Sequence, residues 1–183
     1  MTTTHADPFD ILEFWWKAGP TKWFTRDDAF DAEIRERFAE IHTVAANGGF
    51  DGWTETPHGT LALLLILDQF SRNLFREDAR AFACDAKALQ IARAAVSRGF
   101  YRAFPPIART FFFLPFEHAE DMDAQQTSVD LFRQFGDETT YLYALVHMDV
   151  IRRFGRFPHR NGTLGRTTTA DEKAYLDSGG FSS

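Results

Sequence analysis

Leu61–Arg76 reads LALLLILDQFSRNLFR, and the change of character at Asp68 decides how the chain is read. Seven apolar residues run without a break from Leu61 to Leu67. A strand-like alternation is missing, and Pro57 supplies a helix start, so the spacing predicts a helix from about Pro57 to Arg76. A helix apolar on every side is a buried one. Its polar end is then unusual. Asp68, Arg72 and Arg76 fall four residues apart on one face, with Gln69 and Asn73 beside them. Two readings stay open: a solvated helix end with an intrahelical Asp68–Arg72 pair, or a polar cluster set into a core.

The same punctuation recurs outward in both directions. Asp7-Pro8 caps and opens FDILEFWWKAG, which Gly19-Pro20 ends. Asp27 or Asp28 starts a helix in which Phe30, Ile34, Phe38 and Ile41 repeat at helical spacing, stopped by Asn47-Gly48-Gly49. An alanine-rich helix closes at Gly99. Pro105-Pro106 opens another, with Pro115 expected to kink or split it. Two more end at Gly136 and Gly155, and Thr169 with Glu172 forms a capping box for a short last helix. No alternating segment pairs across an Asn-Gly turn. The expectation is an all-α fold of about seven to nine helices, one domain over 1–183, as irregularly stacked helical hairpins.

Composition narrows the function classes. Lys+Arg of 20 against Asp+Glu of 26 gives a net charge of −6, which argues against general nucleic-acid or membrane binding. Twenty Phe and four Trp foretell an aromatic core. A single cysteine, Cys84, allows no intrachain disulfide and points to a reducing compartment. No secretion signal is legible at the start, and no apolar run approaches the roughly 20 residues of a membrane helix. The cytoplasm is the expected location.

Three polar groups sit against apolar or aromatic sequence: Asp68, Gln69, Arg72, Asn73 and Arg76; Glu117, His118, Glu120, Asp121 and Gln125; and Arg152, Arg153, Arg156, His159, Arg160, Asn161 and Arg166. Glu117 and His118 are adjacent rather than three apart, so the di-iron helix motif is missing, as is His-Glu-x-x-His. No metal and no cofactor is expected. Ser71 lacks a nucleophile elbow, no phosphate-binding glycine loop occurs, and His147 reads as a core histidine.

Taken together, LDQFSRNLFR, FLPFEHAED with Gln125, and RFGRFPHRNGTLGRTTTADE resemble the signature blocks of the bacterial family catalogued as domain of unknown function 924. The early aromatic pattern agrees, so the likeness spans nearly the whole chain. Ala119 and Thr168 stand where the family pattern has serine. The resemblance implies a tetratricopeptide-like helical fold and brings no reaction, cofactor or catalytic residue.

The functional expectation is a pocket, formed where the three groups converge, that binds a small anionic molecule. Arg72, Arg76, Arg153, Arg156 and Arg160 supply charge, which suits arginine's planar fork. Gln69, Asn73 and Asn161 orient the ligand, Asp68 holds the Arg72 guanidinium, and Phe113, Phe116 and Phe154 form an apolar wall. In the enzyme version, a hydrolase or lyase acting on an anionic metabolite, His118 or His159 carries the proton and Glu117 or Asp121 sets its tautomer. The competing class is a module that binds a peptide or protein partner in a helical groove, and a third reading is purely structural, with the polar groups forming a buried salt-bridge network. Arg72, Glu117, His118 and Arg160 are expected to approach one another.

Overall fold

The structure, a computed structural model, describes residues 6–182. Helix α1 (Pro8–Ala18) begins where the Asp7 carboxylate accepts from the Phe9 N–H, with proline in the first turn. After the short α2 (Pro20–Trp23), α3 (Asp28–Ala46) starts at Asp27, whose side chain accepts from Ala29 and Phe30 N–H groups. The helical path from Pro57 then has three parts: α4 (Pro57–Leu64), a π-helical stretch (Leu65–Phe70) and α5 (Ser71–Leu74). Next come α6 (Asp85–Ser97), α7 (Pro106–Glu117), α8 (Met122–Phe135), α9 (Glu138–Phe154) and α10 (Ala170–Asp177). Among the described residues there is no strand, and no helix is long and apolar enough to cross a membrane. The chain is all-α.

The sequence has no composition break, yet the backbone parts into two compact units. The first runs to Arg76 and resumes over Arg80–Ala103; the second comprises Glu77–Ala79 and the chain from Phe104 onward. In the first, α4 packs on α1 and α6, and α3 on the π stretch and α5. Its centre is aromatic. Phe14 meets Phe38 at 4.8 Å and Phe30 at 5.4 Å, Phe38 meets Phe70 at 5.1 Å, and the Trp23 indole N–H donates to the Trp15 carbonyl at 2.7 Å. Leu61 to Leu67 are fully buried or nearly so, as an all-round apolar helix requires.

In the second unit α8 packs on both α7 and α9. Helix α7 continues through Pro115 to Glu117 and is not split; it lies wholly in the interior from Thr110 onward. Its C-terminal carbonyls are collected by one side chain. Gln125 Nε2 donates to the carbonyls of Glu117 at 2.7 Å and Ala119 at 2.8 Å. Gly155 ends α9 in the left-handed region, φ 68°, a conformation that a β-carbon disfavours. The capping box legible at Thr169 and Glu172 is formed, with both reciprocal bonds present. Thr169→Ala should therefore cost about 1 kcal/mol in urea unfolding, and no change in midpoint would show that this cap is redundant.

Candidate functional site

The polar end of the opening stretch is tied to other helices of the first unit. A π turn loosens backbone hydrogen bonds, and two side chains satisfy the exposed carbonyls. Ser71 Oγ donates to the Leu67 carbonyl at 2.6 Å, and Arg72 Nη1 donates to the Asp68 carbonyl at 2.8 Å. Because the Ser71 hydroxyl is so used, His42 Nε2, 2.8 Å away, is the protonated ring nitrogen and donates to Ser71 Oγ.

Asp68, 1 % exposed, accepts from Gln69 Nε2 at 2.6 Å and lies 3.1 Å from Arg72 Nη1. The fork of Arg72 goes to Asp85 of α6, at 3.1 and 3.2 Å. Burial disfavours the Arg72 charge, and the Asp68 and Asp85 carboxylates outweigh it, holding the guanidinium more firmly protonated. Asn73 Nδ2 donates to Asp31 of α3 at 2.7 Å, and Arg76 makes a two-point contact with the same carboxylate. Asp68, Gln69 and Arg72 are thus tied to α6 through Asp85, and Asn73 and Arg76 to α3 through Asp31. Asp31 and Asp85 are members the sequence reading missed. Asp31 had a signal, since it borders the Phe30, Ile34 and Phe38 row of a buried helix face.

In the second unit the arginine-rich tract meets the acidic group after α7. Arg166 contacts Glu120 at 2.8 Å, and Glu120 Oε1 also accepts the Phe157 N–H at 2.9 Å. Arg156 is held by Glu172, at 2.6 and 3.0 Å, and Asn161 Nδ2 donates to the same carboxylate at 3.2 Å. The Arg156 guanidinium, helped by the Thr169 N–H, keeps the Glu172 carboxyl down at about 2 although burial opposes it. The capping box disclosed Glu172 from sequence, but not this second role. Arg153 lies on the outside, over the Tyr175 ring at 4.6 Å and 3.8 Å from Asp149. Asp121 caps α8, accepting from the Ala124 N–H at 2.8 Å.

Glu117, His118, His159 and Arg160 do come together, and His147 joins them. Arg160, 7 % exposed, donates through Nη1 to the His118 carbonyl at 3.0 Å and lies 4.4 Å over the Phe157 ring. His147, 7 % exposed, has Nδ1 2.8 Å from the Tyr143 carbonyl and 3.6 Å from Glu117 Oε1. Neutral His147 therefore carries its proton on Nδ1, and its Nε2 presents a lone pair. Burial pushes His147 down to about 3, with the Tyr143 carbonyl pulling upward and the charges of His118, Arg160 and His159 pushing it further down. Burial and Arg160 also push His159 down to about 4, against Glu120 and a hydrogen bond to the Phe181 main chain. The Phe181 ring covers this group, 4.3 Å from the His147 ring and 5.4 Å from that of His159. Arg72 belongs to the first unit and is held there by its own carboxylates. Among the described residues no three His, Cys, Asp or Glu side chains are grouped to hold a metal ion.

Comparison with solved structures finds a protein of unknown function from Agrobacterium tumefaciens, ATU0120. It is 47% identical, covers 93% of this chain and 97% of its own, and superposes with a TM-score of 0.90. A comparison with curated proteins finds no match. The family model described as bacterial protein of unknown function (DUF924) matches residues 11–180. With that match over almost its whole length, the chain belongs to the DUF924 family of bacterial proteins.

Proposed function

We propose that this protein binds a small anionic molecule in its second unit, at the group formed by His118, His147, His159 and Arg160. The observation that carries this reading is the field at His147. Burial is the larger cause of the downward push on His147, and among its neighbours the Arg160 guanidinium, charged at any working pH, adds to it. The field of the Arg160 guanidinium favours an anion beside it, whereas burial opposes charge of either sign. Arg160 adds the fork geometry that suits carboxylate or phosphate, on a side chain already fixed by the His118 carbonyl and the Phe157 ring.

Binding is favoured over catalysis. A general base works best with a pKa near the operating pH, whereas His147 and His159 sit near about 3 and about 4. The test is a thermal-shift titration with inorganic phosphate and with succinate, on wild type and on Arg160→Gln. At 100 times its Kd a ligand stabilises the fold by about 2.7 kcal/mol, or roughly 5–11 °C for a chain of this size. Arg160→Gln should remove most of that shift. If neither anion moves the melting point, or Arg160→Gln responds as wild type does, the reading is wrong. A shift produced by added peptide but not by either anion would transfer the function to the groove-binding class.

A further inference from the structure

We propose that the groove between α1 and α3, in the first unit, binds an elongated zwitterion, with the ammonium end at Asp10 and the carboxylate end at Lys22. The site is separate from the anion-binding group of the second unit and does not depend on it.

The groove exists because the two helices have other partners: α1 packs on α4, and α3 on the π stretch and α5. Between them lies a cavity of about 230 Å³. One face of α1 from Asp10 to Ala18 lines it, with Lys22 of α2 and Phe30, Glu33 and Arg37 of α3. It is smaller than the roughly 300–1,000 Å³ of a drug-sized site, which suits a short, narrow ligand. Its floor is aromatic. Phe14 and Phe30, both buried, stack with their centroids 5.4 Å apart.

The charges along the groove are balanced in number but not all are paired. Glu13 is taken by Lys17 at 2.6 Å, and Glu33 by Arg37 at 3.2 Å. The Arg37 guanidinium also lies 4.6 Å over the Phe14 ring, which holds it against the floor. Two groups remain. Among the described residues the Asp10 carboxylate has no hydrogen-bond or ion-pair partner, and the Lys22 ammonium has only the Phe30 ring, 5.4 Å away.

These two stand at opposite ends. Asp10 lies in the first turn of α1, whereas Lys22 comes after the end of α1 and reaches over Phe30. Asp10 and Ala18, both on the groove wall, are eight positions apart, about 12 Å on a helix, so the free charges are separated by on the order of 10 Å. A free acid and a free base at that spacing, with a neutral floor between them, complement a molecule that carries an ammonium at one end and a carboxylate at the other. An α-amino acid is too short to reach both. An extended tripeptide with free termini, at about 3.3–3.6 Å per residue, has the right length.

The test is an NMR titration of the intact protein with trialanine, followed at the Phe14 and Phe30 ring resonances. Saturable shifts at both rings are expected, weakening with added salt because the end charges are open to solvent. N-acetyl-trialanine and trialanine amide, each lacking one end charge, and alanine, which cannot span the groove, should bind several-fold more weakly. Asp10→Asn should erase the preference over the acetylated peptide and keep that over the amide; Lys22→Gln should do the reverse. Both variants should melt close to wild type, since neither side chain has an ion-pair partner to lose. 8-Aminooctanoate carries the same end charges without peptide groups, so whichever of it and trialanine binds tighter assigns the source, ω-amino acid or short peptide. No shift at either ring with these two molecules overturns the proposal. So does equal binding of the free and the blocked peptides, or wild-type discrimination in either variant.

Discussion

Arg72→Ala is expected to be among the most damaging single substitutions in this protein, costing roughly 3–5 kcal/mol. Truncation strands the Asp68 carboxylate, 1 % exposed and 3.1 Å from the lost Nη1, in a low-dielectric interior. It also removes the two-point contact to Asp85 and the donor that satisfies the Asp68 carbonyl in the π turn. For a chain of this length the loss corresponds to roughly 6–20 °C in melting temperature. The cost belongs to the unpaired charge rather than to the pair, so a second substitution should relieve it. Arg72→Met combined with Asp68→Leu should recover much of the stability, giving a coupling energy of more than 1 kcal/mol in a double-mutant cycle. Melting of Arg72→Ala within a degree of wild type would show that Asp68 is satisfied without Arg72.

Mild acid should weaken the fold through its histidines before any carboxylate is protonated. His147 and His159 are held neutral in the folded state, at about 3 and about 4, against about 6.5 in the unfolded chain. Burial pushes His42 in the same direction. Between these values the unfolded state binds more protons than the folded one, so stability falls as pH falls. From pH 7 to pH 5, His147 and His159 together should cost on the order of 3 kcal/mol, with the partial exposure of His159 reducing its share. Glu172, kept down at about 2 by Arg156, stays ionised across that window, and its stabilising contribution disappears only as the pH falls from its unfolded value towards 2. Denaturant melts at pH 7, 6 and 5, on wild type and on His147→Gln with His159→Gln, test this directly. A slope between pH 6.5 and 5 that the double variant does not flatten would locate the acid lability elsewhere.

The sequence by itself determined the helices, because their signals are local. Asp7-Pro8, Asp27, Gly155 and the Thr169–Glu172 box act on residues a few positions away, and each operates in the fold as its chemistry requires. The family blocks were legible for the same reason, as contiguous runs. Even the Asp68–Arg72 pair follows from helical spacing alone. The partners that give those blocks their meaning are distant in sequence. Asp85 takes the Arg72 fork, Asp31 takes Arg76 across 45 positions, and Glu120 takes Arg166 across 46. Only tertiary packing decides such pairings, since one arginine satisfies any carboxylate that the fold delivers and helical periodicity does not rank the candidates. His147 makes the point most sharply. Its spacing marked a core histidine, and it is buried as expected, but its neutral state and its setting beside His118, His159 and Arg160 depend on which side chains α7, the Phe157–Arg160 turn and Phe181 bring beside it.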